Sequence, residues 1–101
     1  MANTFNNAKA SGIGLTSTTI YTVPTGTTSV VHALYLSNVT TSTIKVTVKI
    51  DSVHVLKDVE ILANSTLLMN KPLNMLAGES LIVSSDTDLS LDVVASILEV
   101  S

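Results

Sequence analysis

Two histidines, one aspartate-rich stretch and many hydroxyl side chains are the residues here whose types invite a catalytic or metal-binding reading. His32 and His54 have no His-x-Glu, His-x-His or cysteine neighbour at metal-ligand spacing. His32 lies inside Val30-Val31-His32-Ala33-Leu34 and reads as a hydrogen-bonded interior or interface side chain, and His54 reads as part of an ordinary strand. Serine is abundant, yet no G-x-S-x-G elbow exposes one as a nucleophile, so a hydrolytic triad is not expected. Asp86, Asp88 and Asp92 form the densest acidic cluster, and alternating carboxylates in a loop can hold Ca²⁺. The cluster lacks the glycine and terminal glutamate of an EF-hand loop and reads as a solvated turn. With no cysteine there is no thiol nucleophile, disulfide or Cys-type zinc site. The expectation is a protein with no catalytic residues, no metal and no cofactor, and hence not an enzyme.

What the composition does specify is surface. Apolar residues make up 46% of the 101 positions and charged residues only 13%, about half the charge of an ordinary soluble domain. Such a chain hides part of its exterior against copies of itself or a larger partner. Phe5, Ile13, Leu15, His32, Tyr35, Leu98 and Val100 are the expected interface side chains. A net charge of −3 with lysine as the sole basic residue type excludes a nucleic-acid footprint, which needs clustered positive charge and arginine forks. Polar residues interrupt every window of membrane-spanning length despite a mean hydropathy of +0.50. No secretory h-region opens the chain, so a cytoplasm-like compartment is expected, and the sequons at Asn38 and Asn64 read as chance matches in a threonine-rich sequence.

The elements that would carry this surface are strands. Residues 1–17 are amide-rich, contain glycine and follow neither helical nor strand periodicity; they read as an extended arm that docks Phe5, Ile13 and Leu15 on a neighbour. Residues 18–101 form the domain proper. Thr18 to Val23 is a short strand closed by Pro24-Thr25-Gly26, with proline expected at the first central turn position. Ser29 to Asn38 is a long strand apolar on both faces, as in a strand covered on two sides. Ile44 to Ile50 alternates strictly, with Ile44, Val46, Val48 and Ile50 inward and Lys45, Thr47 and Lys49 outward. Asp51-Ser52 then has the length of a hairpin loop leading into Val53 to Val59. Two similar stretches, Ile61 to Met69 and Met75 to Val83, each read as strand, tight turn through Ala-Asn or Ala-Gly, and strand. Leu89 to Val100 closes the chain, with a bulge or subunit contact expected near 94–98. Seven or eight strands without an amphipathic helix predict an all-β fold: a single antiparallel β-sandwich, jelly-roll-like, behind the N-terminal arm.

Several of these segments carry a resemblance. Met1 to Ala8, Thr19 to Pro24, Val31 to Asn38, the Leu76-Ala77-Gly78-Glu79-Ser80 turn and the Ser96 to Val100 end resemble small β-sandwich virion proteins of tailed bacteriophages. The resemblance implies an accessory structural protein: a cement or decoration subunit on the capsid, commonly a homotrimer, whose loops bridge subunits of the major capsid protein. The alternative it admits is a neck- or tail-associated component. A receptor- or glycan-binding tip would use the same sandwich, although such platforms present more aromatics than Phe5, Tyr21 and Tyr35. In this reading the protein assembles in the host cytoplasm and resides in the virion.

Overall fold

The computed structural model describes residues 3–101, which form nine strands: β1 (Asn3–Ile13), β2 (Thr18–Thr22), β3 (Thr28–Asn38), β4 (Ile44–Ile50), β5 (Val53–Ile61), β6 (Thr66–Met69), β7 (Leu73–Met75), β8 (Ser80–Ser85) and β9 (Leu91–Val100). They make two antiparallel sheets, one ordered β1-β9-β3-β6 with β7 also on β3, the other β2-β8-β4-β5. Both sheets feed one buried cluster, with Val31, Leu34, Leu36, Val93 and Ile97 from the first and Ile44, Val46, Val48, Leu81 and Val83 from the second. The body is elongated, 45 × 22 × 19 Å.

The alternation in Ile44–Ile50 is realised as expected, with Ile44, Val46 and Val48 buried and Lys45 exposed. Strand β3, expected to be covered on two sides, is buried on one. Val31, Leu34 and Leu36 are all buried because the β3–β9 register shifts between Val31 and Ala33, so His32 is an extra, bulged residue. The strand therefore has one core face with a phase change, and the bulge expected near 94–98 of β9 is carried instead by β3, opposite Ser96 and Ile97. Residues 3–13 are not an arm in this molecule: they pair along β9 from Asn3↔Val100 to Ile13↔Leu91.

Turn chemistry sets the corners. Ser65 N–H donates to Leu62 O and Glu79 N–H to Leu76 O, each at 3.1 Å, with Asn64 and Gly78 at φ of 56° and 85° in the equivalent third position. The likeness of the two stretches is thus a shared turn geometry that needs a residue tolerant of positive φ. Pro24 supplies the carbonyl that accepts from Thr27 N–H, so proline occupies the turn's first residue rather than its first central one.

Two polar devices hold the ends. At one end the Tyr21 hydroxyl of β2 donates to Glu99 Oε2 of β9 at 2.5 Å and shares a 2.7 Å hydrogen bond with Ser29 of β3, bolting one sheet to the other. At the opposite end the buried Asn38 amide donates to Ser42 O, Ile61 O and Leu62 O and accepts from Thr40 N–H and Oγ1. One side chain there ties the 39–43 loop to the end of β5 and the turn that follows it.

Candidate interaction surface

The outward face of the first sheet carries exposed aromatic and aliphatic side chains among its polar ones, where a solvated sheet face is ordinarily polar. Its cross-strand rows run Phe5–Leu98–Val30 and Lys9–Val94–Tyr35–Leu68. Phe5 is 80% exposed and Tyr35 40%, and Leu68 and Val94 are also exposed. Bulging at His32 places its ring outward, 6.3 Å from the Phe5 ring and tilted by 31°. Phe5, Asn6, Asn7, His32, Ser96 and Ile97 line a surface depression of about 290 Å³ beside that pair. The outward face of the second sheet contrasts: Lys45 stands opposite Glu60 and Lys49 opposite His54, while Thr47 Oγ1 accepts from Asp58 N–H at 3.3 Å. The second sheet's outer face is charged and polar, and the first sheet's carries the exposed aromatic and aliphatic side chains.

A second apolar surface lies at the Asn38 end. Four loops meet there, 14–17, 39–43, 62–65 and 86–90, and each exposes one aliphatic side chain: Leu15, Val39, Leu62 and Leu89. The loops are mutually tied, since Val39 N–H donates to Ser90 O, Asn64 N–H to Thr40 O, Ser90 N–H to Ile13 O and Leu15 N–H to Asp88 Oδ1. Leu89 is 75% exposed and at φ 52°, an unfavourable conformation for a bulky side chain. A closed hydrogen-bond ring imposes it: Ser90 Oγ donates to Thr87 O, Ser85 and Ser90 share a buried 2.6 Å bond, and Thr87 N–H donates to Ser85 Oγ. The strained backbone of an exposed apolar residue is thus held by a built network.

Among the expected interface residues, Phe5, His32, Tyr35, Leu98 and Val100 fall on the first sheet's outer side, and Leu15 falls at the loop tip. Ile13 does not belong with them. It is 3% exposed and packs in this chain's own core, because β1 enters the sheet before ending. The aspartates are separately employed: Asp86 Oδ1 accepts from Lys45 N–H, Asp88 Oδ1 from Leu15 N–H and Asp92 Oδ1 from Gly12 N–H. Among the described residues no group of three His, Cys, Asp or Glu side chains is placed to hold a metal ion. Sequence reading missed Val39, Leu62 and Leu89, whose signal was an aliphatic residue inside a turn.

Compared with known proteins, the chain matches no protein-family model and no curated sequence.

Proposed function

We propose that this protein is a non-enzymatic structural component of a bacteriophage virion, a decoration or cement subunit that binds the capsid shell and reinforces it. The observation that carries the reading is the placement of exposed apolar side chains on two separate surfaces, the first sheet's outer face and the four-loop tip. Two such surfaces suit a subunit that holds its own copies through one and a lattice through the other. The homo-oligomer, a trimer in the resembled family, would form through the sheet face, and the tip would bridge major capsid protein subunits. Each fully buried Phe, Leu or Val contributes roughly 1.5 to 3 kcal/mol before ordering costs, so a few side chains repeated by symmetry suffice.

The strand order supports a jelly-roll reading of the sandwich. The last strand lies between the first and third, and the eighth between the second and fourth, the interleaving that two Greek keys produce. Exposed Phe5 and Tyr35 on the same face favour a second reading, a glycan-binding tip module.

Gold-labelled antibody against the protein, imaged on purified virions, tests the primary reading. Label distributed over the head, with shells that rupture at lower temperature when the protein is stripped, is the expected result. Label confined to neck or tail would replace the capsid role with a tail-associated one, and binding on a glycan array without head label would favour the second reading.

A further inference from the structure

Every sheet edge exposes unpaired backbone groups, and proteins ordinarily blunt such edges. Three of the four edges here are blunted. The β6–β7 edge is two short strands broken by Asn70-Lys71-Pro72; β2 is five residues long with a register shift; β5 has two register shifts, Asp58 at φ 50° and the charges of Lys57, Asp58 and Glu60. Strand β1 is left open. It has eleven residues, no proline, Lys9 as its one charge and an uninterrupted register on β9 from Asn3 to Ala10.

We propose that this edge pairs with β1 of a second copy of the chain, antiparallel about a two-fold axis at Asn7, joining the two first sheets into one continuous sheet. Alternate residues of an edge strand turn their N–H and C=O groups outward. The Asn7 N–H donates to the adjacent Asn6 Oδ1 at 2.9 Å, which assigns Asn7, and with it Phe5 and Lys9, to the outward-turned set; on pairing, that local bond is exchanged for one to the copy's Asn7 carbonyl. An axis at Asn7 then sets Phe5 opposite the copy's Lys9, Asn3 opposite its Ser11, and the two Asn7 amides against each other.

That register is self-complementary. Each Asn7 amide has a donor and an acceptor for its counterpart, and each Lys9 ammonium meets an aromatic ring, an attractive pair. An axis at Lys9 would oppose like charges, and one at Phe5 would leave Lys9 beyond the overlap. The chosen axis also extends the apolar rows of the outer face across both copies. This contact is independent of the virion reading: a threefold ring closes through a different, heterologous contact, so a trimer that also uses β1 doubles.

The cysteine-free sequence permits a direct test in the full-length protein. Under mild oxidation Asn7→Cys is expected to form a covalent dimer about tenfold or more faster than Asn3→Cys, because pairing raises the local concentration of like residues only at the axis. Asn3→Cys mixed with Ser11→Cys is expected to cross-link as fast as Asn7→Cys. Phe5→Lys is expected to abolish the even-numbered assembly by opposing Lys9, and adding Lys9→Glu to restore it; circular dichroism confirms that each variant is folded. Equal cross-linking rates at Asn7 and Asn3, or a parent protein with an odd number of chains or a lone 10.6 kDa mass at every concentration tested, would overturn the proposal.

Discussion

At Tyr21 the phenol is held above its ordinary pKa of 10.0, first by desolvation on burial and then by the hydrogen bond it donates to Glu99. An acid whose folded-state pKa exceeds its unfolded value stabilises the fold fully below the unfolded value and loses that contribution as pH rises through the folded one. Thermal unfolding of the parent is therefore expected to show an alkaline decline beginning near pH 10 that Tyr21→Phe lacks. At neutral pH the same substitution is expected to cost about 1 kcal/mol by leaving Ser29 and Glu99 without their shared partner. If both proteins lose stability identically above pH 10, the bolt between sheets contributes nothing through its proton. Gly14 illustrates a different single-residue constraint: a Cβ there would lie 2.9 Å from Asp88 Cα and 2.6 Å from Asp88 Oδ1. Gly14→Ala is expected to lower stability by about 1 to 3 kcal/mol and to loosen the tip, seen as faster amide exchange at Leu15 and Ser90. Neither constraint was legible beforehand, nor was Asn38, because each depends on residues distant in sequence. A buried asparagine that ties two loops together looks, in sequence, like any asparagine before a turn.

Among the elements, strands whose pattern is local were the readable ones. Ile44–Ile50 has the predicted bounds and faces, since alternation between aliphatic and lysine or threonine side chains leaves one arrangement in which the aliphatics meet. Val46→Asp is accordingly expected to cost on the order of 4 kcal/mol or to unfold the protein, whereas Lys45→Asp, exposed opposite Glu60, costs about 0.5 kcal/mol, as measured by urea denaturation. Similar losses for the two would reverse the strand's faces. Strand β1 was unreadable for a physical reason. Its inward positions near the core are Ala8 and Ala10, too small to register as a hydrophobic period, and its outward positions include Asn7 and Lys9. The β3 bulge was hidden likewise, because inserting His32 shifts the period without interrupting the apolar run. The revised place of β1 changes what truncation should do. Removing residues 1–13 takes Ile13 from the core and uncovers β9, so a drop in melting temperature of several degrees is expected, along with aggregation through the newly exposed β9 edge. A truncated protein that melts like the parent would return those residues to the status of a dispensable arm.

At the scale of the whole molecule, a chain with 13% charged residues places its lysine–glutamate and lysine–histidine pairs on one sheet's exterior and its exposed Phe5, Tyr35, Leu68 and Val94 on the other's. Association driven by such a face is expected to persist or tighten from low salt to 1 M sodium sulfate, because sulfate strengthens apolar burial while it screens charge. Dissociation with rising salt in multi-angle light scattering would show that charge holds the copies together. The asymmetry between faces was foreshadowed by composition, while its location required the topology, which alone decides that Phe5, Val94 and Tyr35 share a surface. That topology also has a temporal side. Strand β1 pairs with β9, the strand furthest from it along the sequence, Asn3 beside Val100, so no native partner for β1 exists until β9 has emerged. Closing so long a loop is slow, and folding on a scale of roughly milliseconds to seconds follows for a sheet built from such distant pairings. Throughout that interval β1 remains a free ribbon, able to meet another chain before it meets its own.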